Sequence, residues 1–180
     1  MRRSFGLIII FALVASPAAA QQWQLSPDNR TATISDDVVT FGFKCNDKDE
    51  FALVFQINDS DLEPVIKSAM EADPFVHLRL APANRTFANG SDALTNTWYF
   101  GQVGDVWEIR GQEGFITYLH AHEIMEAPNT FEIALRQNDG SDAAGNYHTA
   151  QFTARGATAA IRPLIEPCRA SLAASTPKSF

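Results

Sequence analysis

Beyond its first 20 residues the chain has no apolar run near the roughly 20 residues that a bilayer-spanning helix requires. It also lacks the short motifs that mark much of nucleotide and nucleophile chemistry. There is no G-x-x-x-x-G-K-[ST] phosphate loop, no G-x-G-x-x-G fingerprint and no G-x-S-x-G elbow. Positive charge is scarce: 14 Lys and Arg stand against 21 Asp and Glu, with no long run of one sign. So acidic a chain does not neutralise a phosphate backbone, which removes nucleic acid from the expected partners. Cysteine is nearly absent, with only Cys45 and Cys168. Neither belongs to a C-x-x-C pair or has a histidine beside it, which argues against a redox or metal-binding thiol.

What is present begins with Arg2-Arg3, an apolar run from Leu7 to Val14, and Ser16-Pro17-Ala18-Ala19-Ala20. A basic start, an apolar centre of about 10 to 12 residues and small residues before a cut make a cleavable signal peptide, and the run is too short for a span. Cleavage after Ala20 is expected, leaving Gln21 first in a soluble periplasmic or secreted product. Arg2-Arg3-Ser4-Phe5 resembles a twin-arginine signal, but no cofactor motif follows that would require folding before export, and general secretion is expected. Without residues 1–20 the chain keeps 12 basic and 21 acidic residues, a net charge of −9. The remaining 160 residues, with 13 Phe and 3 Trp in the whole chain, suit one domain with a real core.

In an exported protein two cysteines are expected to pair. A Cys45–Cys168 bridge would span 122 intervening residues and fasten the C-terminal segment to an early strand. In the chain-entropy account that closure stabilises by roughly 4 to 5 kcal/mol.

Alternation and β-branched or aromatic residues mark strands near Thr31–Ser35, Val38–Lys44, Phe51–Ile57, Phe75–Leu80, Thr95–Phe100, Val106–Arg110, Thr130–Arg136 and Tyr147–Thr153. Asp36-Asp37, Asn46–Asp49, Asn89–Asp92 and Asn138–Asp142 supply turn residues between them. Helices are expected over Asp61–Ala72, with Asp61 as cap and Leu62, Val65, Ile66 and Met70 on one side, and over Gly114–Met125, with Phe115, Leu119 and Met125. A last one covers Ala157–Ile165. The fold class is therefore α+β and β-rich: a single antiparallel sheet or sandwich over residues 21–168 with two or three short helices, the last tied by the disulfide to an early strand. Residues 169–180, rich in Ala, Ser, Thr and Pro, read as a disordered tail.

Candidate chemistry is sparse. His120-Ala121-His122-Glu123 has the donors for zinc or copper, but residues two apart on a helix diverge by about 200°, so no shared metal is expected there. The acids at Asp47, Asp49, Glu50, Asp59, Asp61, Asp139 and Asp142 match no calcium loop and suit turns and caps. No cofactor is expected. Trp98-Tyr99-Phe100 and Trp107 concentrate aromatic area. With Trp98 and Phe100 facing the core, Tyr99 faces out, and Tyr99 and Trp107 are the candidate partner surface.

The order of these marks is a strand ending in Cys45, then Phe51–Ile57, Val76-His77-Leu78-Arg79-Leu80, Trp98, Phe115–Leu119, Phe131–Leu135, and Phe152-x3-Gly156-x3-Ala160-Ile161-x2-Leu164-x3-Cys168. That order resembles small Cys-paired envelope proteins of Gram-negative bacteria, including the VasI-like accessory proteins associated with type VI secretion. The chain departs from them at Ala81-Pro82-Ala83 and at Arg169, where they carry an Asp-rich turn and further aromatics. The resemblance implies the fold, the bridge, and a non-catalytic periplasmic binding or accessory role with another envelope protein as partner. It brings no catalytic residues. An extracytoplasmic hydrolase using His120, His122 or an acid, and an inhibitor of an envelope hydrolase, are the alternatives.

Overall fold

Along Val39–Cys45 the residues Val39, Phe41, Phe43 and Cys45 are buried, while Thr40 and Lys44 turn the other way. This two-residue period repeats through the protein and builds one sheet with an apolar and a more polar side. The computed structural model describes residues 21–82, 94–110, 114–137 and 146–175. Its strands are β1 (Gln24–Leu25), β2 (Thr31–Ser35), β3 (Val39–Cys45), β4 (Phe51–Asn58), β5 (Phe75–Pro82), β6 (Leu94–Val103), β7 (Val106–Arg110), β8 (Thr130–Gln137) and β9 (Asn146–Thr153). All pairings are antiparallel, in the order β1-β2-β3-β4-β7-β6-β5-β8-β9.

Side-chain chemistry sets the tight turns. Asp36 Oδ1 accepts the N–H groups of Val38 and Val39 at 2.8 and 2.6 Å, turning β2 into β3. Asn46 Oδ1 accepts those of Lys48 and Glu50, both at 2.9 Å, turning β3 into β4. These are the side-chain-to-backbone bonds that place Asn and Asp in turns. The turns at Asn89–Asp92 and Asn138–Asp142, and residues 1–20, lie outside the described residues.

The sheet is rolled. Six strand spacings of about 4.8 Å would separate β3 from β9 by about 29 Å in a flat sheet, yet the rings of Phe41 on β3 and Phe152 on β9 stack at 6.3 Å. Phe41 also meets Trp23, Phe43 and Phe131 at 6.4, 5.5 and 5.6 Å, so both ends of the sheet share one aromatic core. Gly42 permits part of the roll. A Cβ at this position would lie 2.0 Å from the Ala32 carbonyl oxygen, so β2 and β3 approach there only over a glycine.

Helices cover the inner side. Those described are α1 (Pro64–Ala72), α2 (Phe115–Glu126), α3 (Ala157–Ile165) and α4 (Arg169–Ser175), with a single 3-10 turn at Asp59–Asp61. α2 lies on β4 and β5, α3 lies on β1, β2 and β3, and the two helices touch. The Gly114 N–H bonds the Phe51 carbonyl at 2.8 Å, pinning the start of α2 to β4. Thr158 donates to the Met125 carbonyl at 3.2 Å, pinning α3 to the last turn of α2.

Cys45 and Cys168 form a disulfide with Cα atoms 5.7 Å apart, tying the junction of α3 and α4 to the end of β3. Polar contacts gather round it. Arg30 donates to the Cys45 carbonyl at 3.2 Å, to the Asn46 carbonyl, and to Asp49 at 2.9 Å. Ser171 of α4 donates to the Asp49 carbonyl at 2.7 Å.

Four local expectations change. The helix expected from Asp61 starts at Pro64, a residue suited to a first turn, and Asp61 belongs to the 3-10 turn instead of capping. Val65 points outward, 69% exposed, while Met70 carries the inner side. Among the described side chains of α2, which do not include Phe115, the buried stripe is Thr117, His120, Ala121 and Ile124, with Leu119 outside. The tail does not begin as an unstructured segment: Arg169–Ser175 is helical, and Leu172 is buried at 8% exposure.

Candidate functional site

Strand alternation turns Val76, Trp98, Phe100 and Ile109 inward and leaves Phe75, Tyr99 and Arg110 on the outer side. Register aligns those three, with Phe75 opposite Tyr99 and Tyr99 opposite Arg110. Phe75 is 48% and Tyr99 43% exposed, and their rings meet edge to face at 6.0 Å and 83°. Directly opposed aromatics on antiparallel strands pack in this way, and here no element among the described residues covers them.

Gly101 explains how the tyrosine lies. A Cβ at residue 101 would sit 2.7 Å from Tyr99 Cε1, so the ring leans along its own strand over Gly101 and would have to swing away from any larger residue there. Beside it, Arg110 bonds Glu108 at 3.1 Å. The row therefore presents an apolar pair flanked by a charged pair, on strands held from behind by the core.

Trp107, expected to share that surface, does not. It is 4% exposed, stacks on Phe100 at 5.8 Å, and gives its indole N–H to Asp59 Oδ1 at 2.8 Å. Lys67 of α1 bonds the other oxygen of Asp59 at 2.7 Å. Hydrogen bonds from Lys67 and then Trp107 hold this carboxyl below its ordinary pKa. The three residues join β7, the 3-10 turn and α1 in a structural junction.

The histidine cluster is split. His120 is 4% exposed and lies 6.0 Å from the Trp98 ring, whereas His122 is on the outside of α2, 3.5 Å from Glu126. Among the described residues no group of three His, Cys, Asp or Glu converges as metal ligands. Glu123 lies one residue further round the helix from His122 and joins neither histidine.

Burial lowers the His120 pKa to about 4 from 6.5. The folded state thus holds this imidazole neutral while the unfolded chain binds a proton below about pH 6.5. Stability carries no contribution from this group above that pH and falls as pH drops from 6.5 to 4, by roughly 3 kcal/mol. Urea midpoints at pH 7 and pH 4.5 should differ accordingly, and His120→Leu should flatten the difference. An equal pH slope in both proteins would show that His120 is not the titrating group.

A second feature sits where the ends of the sheet meet. Gln21, Gln22, Trp23, Thr153, Arg155 and Gly156 line a cleft of about 650 Å³ beside the start of α3. The Trp23 indole donates to the Thr153 carbonyl at 3.0 Å across this seam.

No family model matches the chain, and neither the curated proteins nor the solved structures include a match. The geometry therefore speaks alone. Sequence reasoning placed Tyr99 on the outside but missed Phe75, because the pairing of the two rings depends on strand register. It also missed the seam, whose partners lie 130 residues apart.

Proposed function

We propose that the chain is an exported, non-catalytic binding or accessory module of the Gram-negative envelope, and that it meets a protein partner through Phe75 and Tyr99. The half-exposed, edge-to-face aromatic pair carries this reading. Aromatic anchors on a rigid support dominate protein interfaces, since they bury much area at little entropic cost. Arg110 and Glu108 at the edge supply the polar rim that such interfaces have. A buried disulfide supports folding in an oxidising compartment, in keeping with the signal-like residues 1–20 and the periplasm.

The hydrolase alternative loses its named histidines, since His120 is in the core and His122 outside. The VasI-like resemblance supports an accessory role, and secretion-system association belongs to this proposal.

Photo-crosslinking in intact cells tests it. A photoreactive residue at position 99 should trap one discrete adduct, one at Lys44 should trap none, and Phe75→Ser should abolish the first while leaving the melting temperature within a few degrees. Equal, diffuse labelling from both positions would overturn the assignment.

A further inference from the structure

The two ends of the rolled sheet are joined by side chains where a further strand would otherwise sit. The Gln21 carboxamide spans the seam, with Nε2 donating to the Gln151 carbonyl and Oε1 accepting from the Thr153 N–H, both at 3.3 Å. With the Trp23 bond to the Thr153 carbonyl, these contacts pair the Gln151 carbonyl and both backbone groups of Thr153, as a neighbouring strand would. Gln21 is also the residue that cleavage after Ala20 would place first, so any chemistry of its amine rests on the proposed export.

A first-position glutamine carries an amine that reaches its own side-chain carbonyl carbon through a five-membered ring. We infer that Gln21 is a modification site controlled by the seam: it closes to pyroglutamate when the seam is open and stays open-chain while its carboxamide is held on β9. The α-amino nitrogen attacks Cδ, the N–Cδ bond forms, and the Cδ–Nε2 bond breaks. Nε2 leaves as ammonia with a proton from the amine, and no oxidant or reductant takes part.

Ring closure folds Cδ back onto the backbone nitrogen of the same residue. The carboxamide cannot then extend across to Thr153, so the latch and the lactam exclude one another. Closure proceeds only from the unlatched fraction, and its rate falls by the factor by which the latched form is favoured. Two net hydrogen bonds correspond to a slowing of roughly ten-fold or more. The modification in turn frees the Gln151 carbonyl and the Thr153 N–H on the edge of β9.

Ammonia loss, read by intact mass, tests the inference. The protein is released from a fusion so that Gln21 is its first residue, and is compared folded, unfolded in urea, and as a free peptide of residues 21–27. The folded protein should cyclise at least ten-fold more slowly than the peptide, and the unfolded chain at the peptide rate. Equal rates in the folded and unfolded protein would overturn the inference. The first residue of the protein purified from periplasm separately tests the proposed export: a start other than Gln21 contradicts the cleavage point and leaves the measured seam chemistry standing.

Discussion

Replacing Cys168 by serine should lower the melting temperature by roughly 10 to 20 °C. The bridge links residues 123 apart, and removing a cross-link over such a loop restores about 5 kcal/mol of chain entropy to the unfolded state. For a domain of this size each kcal/mol is about 2 to 4 °C. Both cysteines are buried, at 3% and 0% exposure, so reductant should act slowly on the folded protein and quickly once it opens. The Ser171 bond to the Asp49 carbonyl persists in the variant and holds α4 near the β3–β4 turn, but an exposed polar contact of this kind is individually small. Calorimetry of the oxidised wild type and the variant checks the claim. An unchanged melting temperature would mean that the bridge does not constrain the chain.

Phe41→Ala should cost about 3 to 5 kcal/mol, the range for removing a fully buried phenylalanine. The position is unusual in its reach, touching rings from before β1, from β3, from β8 and from β9. The vacated volume lies between the two ends of the sheet, where neither end can shift inward without disturbing its own ladder. Phe75→Ala, on the outer side, should cost far less because half of its ring already meets water. Denaturant midpoints for the two variants separate the cases, and a similar loss in both would refute the assignment of inner and outer sides.

Much of the fold was legible because strands such as Thr31–Ser35 and Val106–Arg110 alternate between turns rich in Asn, Asp and Gly, as at Asp36-Asp37 and Asn46–Asp49. The same parity rule that turned Tyr99 outward also turns Trp107 inward, since Trp107 and Ile109 alternate with Glu108 and Arg110. Reading Trp107 as surface followed its aromatic character instead of its place in the strand. α2 misled for another reason: Phe115, Ile116, Tyr118, Leu119, Ala121, Ile124 and Met125 are spread all round the helix, so no apolar stripe stands out. The helix packs through Thr117, His120, Ala121 and Ile124, two of which are polar. α4 hid in an Ala- and Ser-rich composition, where only Leu172 signals a buried side.

The seam was not legible because it depends on how far the sheet rolls, and the aromatic row because it depends on the register of β5, β6 and β7. Local propensity fixes neither the roll nor the pairing of residues 21 to 23 with β9. The backbone approach at Gly42 was visible only as a glycine inside a strand, a pattern that also marks bulges.

The rolled sheet is the claim on which the shared core and the latched Gln21 both depend. Aromatic nuclear Overhauser contacts in selectively Phe-labelled protein test it most directly. Phe41 and Phe152, 6.3 Å apart between ring centres, should give strong ring-to-ring contacts, as should Phe41 and Phe131. A sheet that shows its neighbouring-strand contacts but none between Phe41 and Phe152 would be open, and would contradict the account.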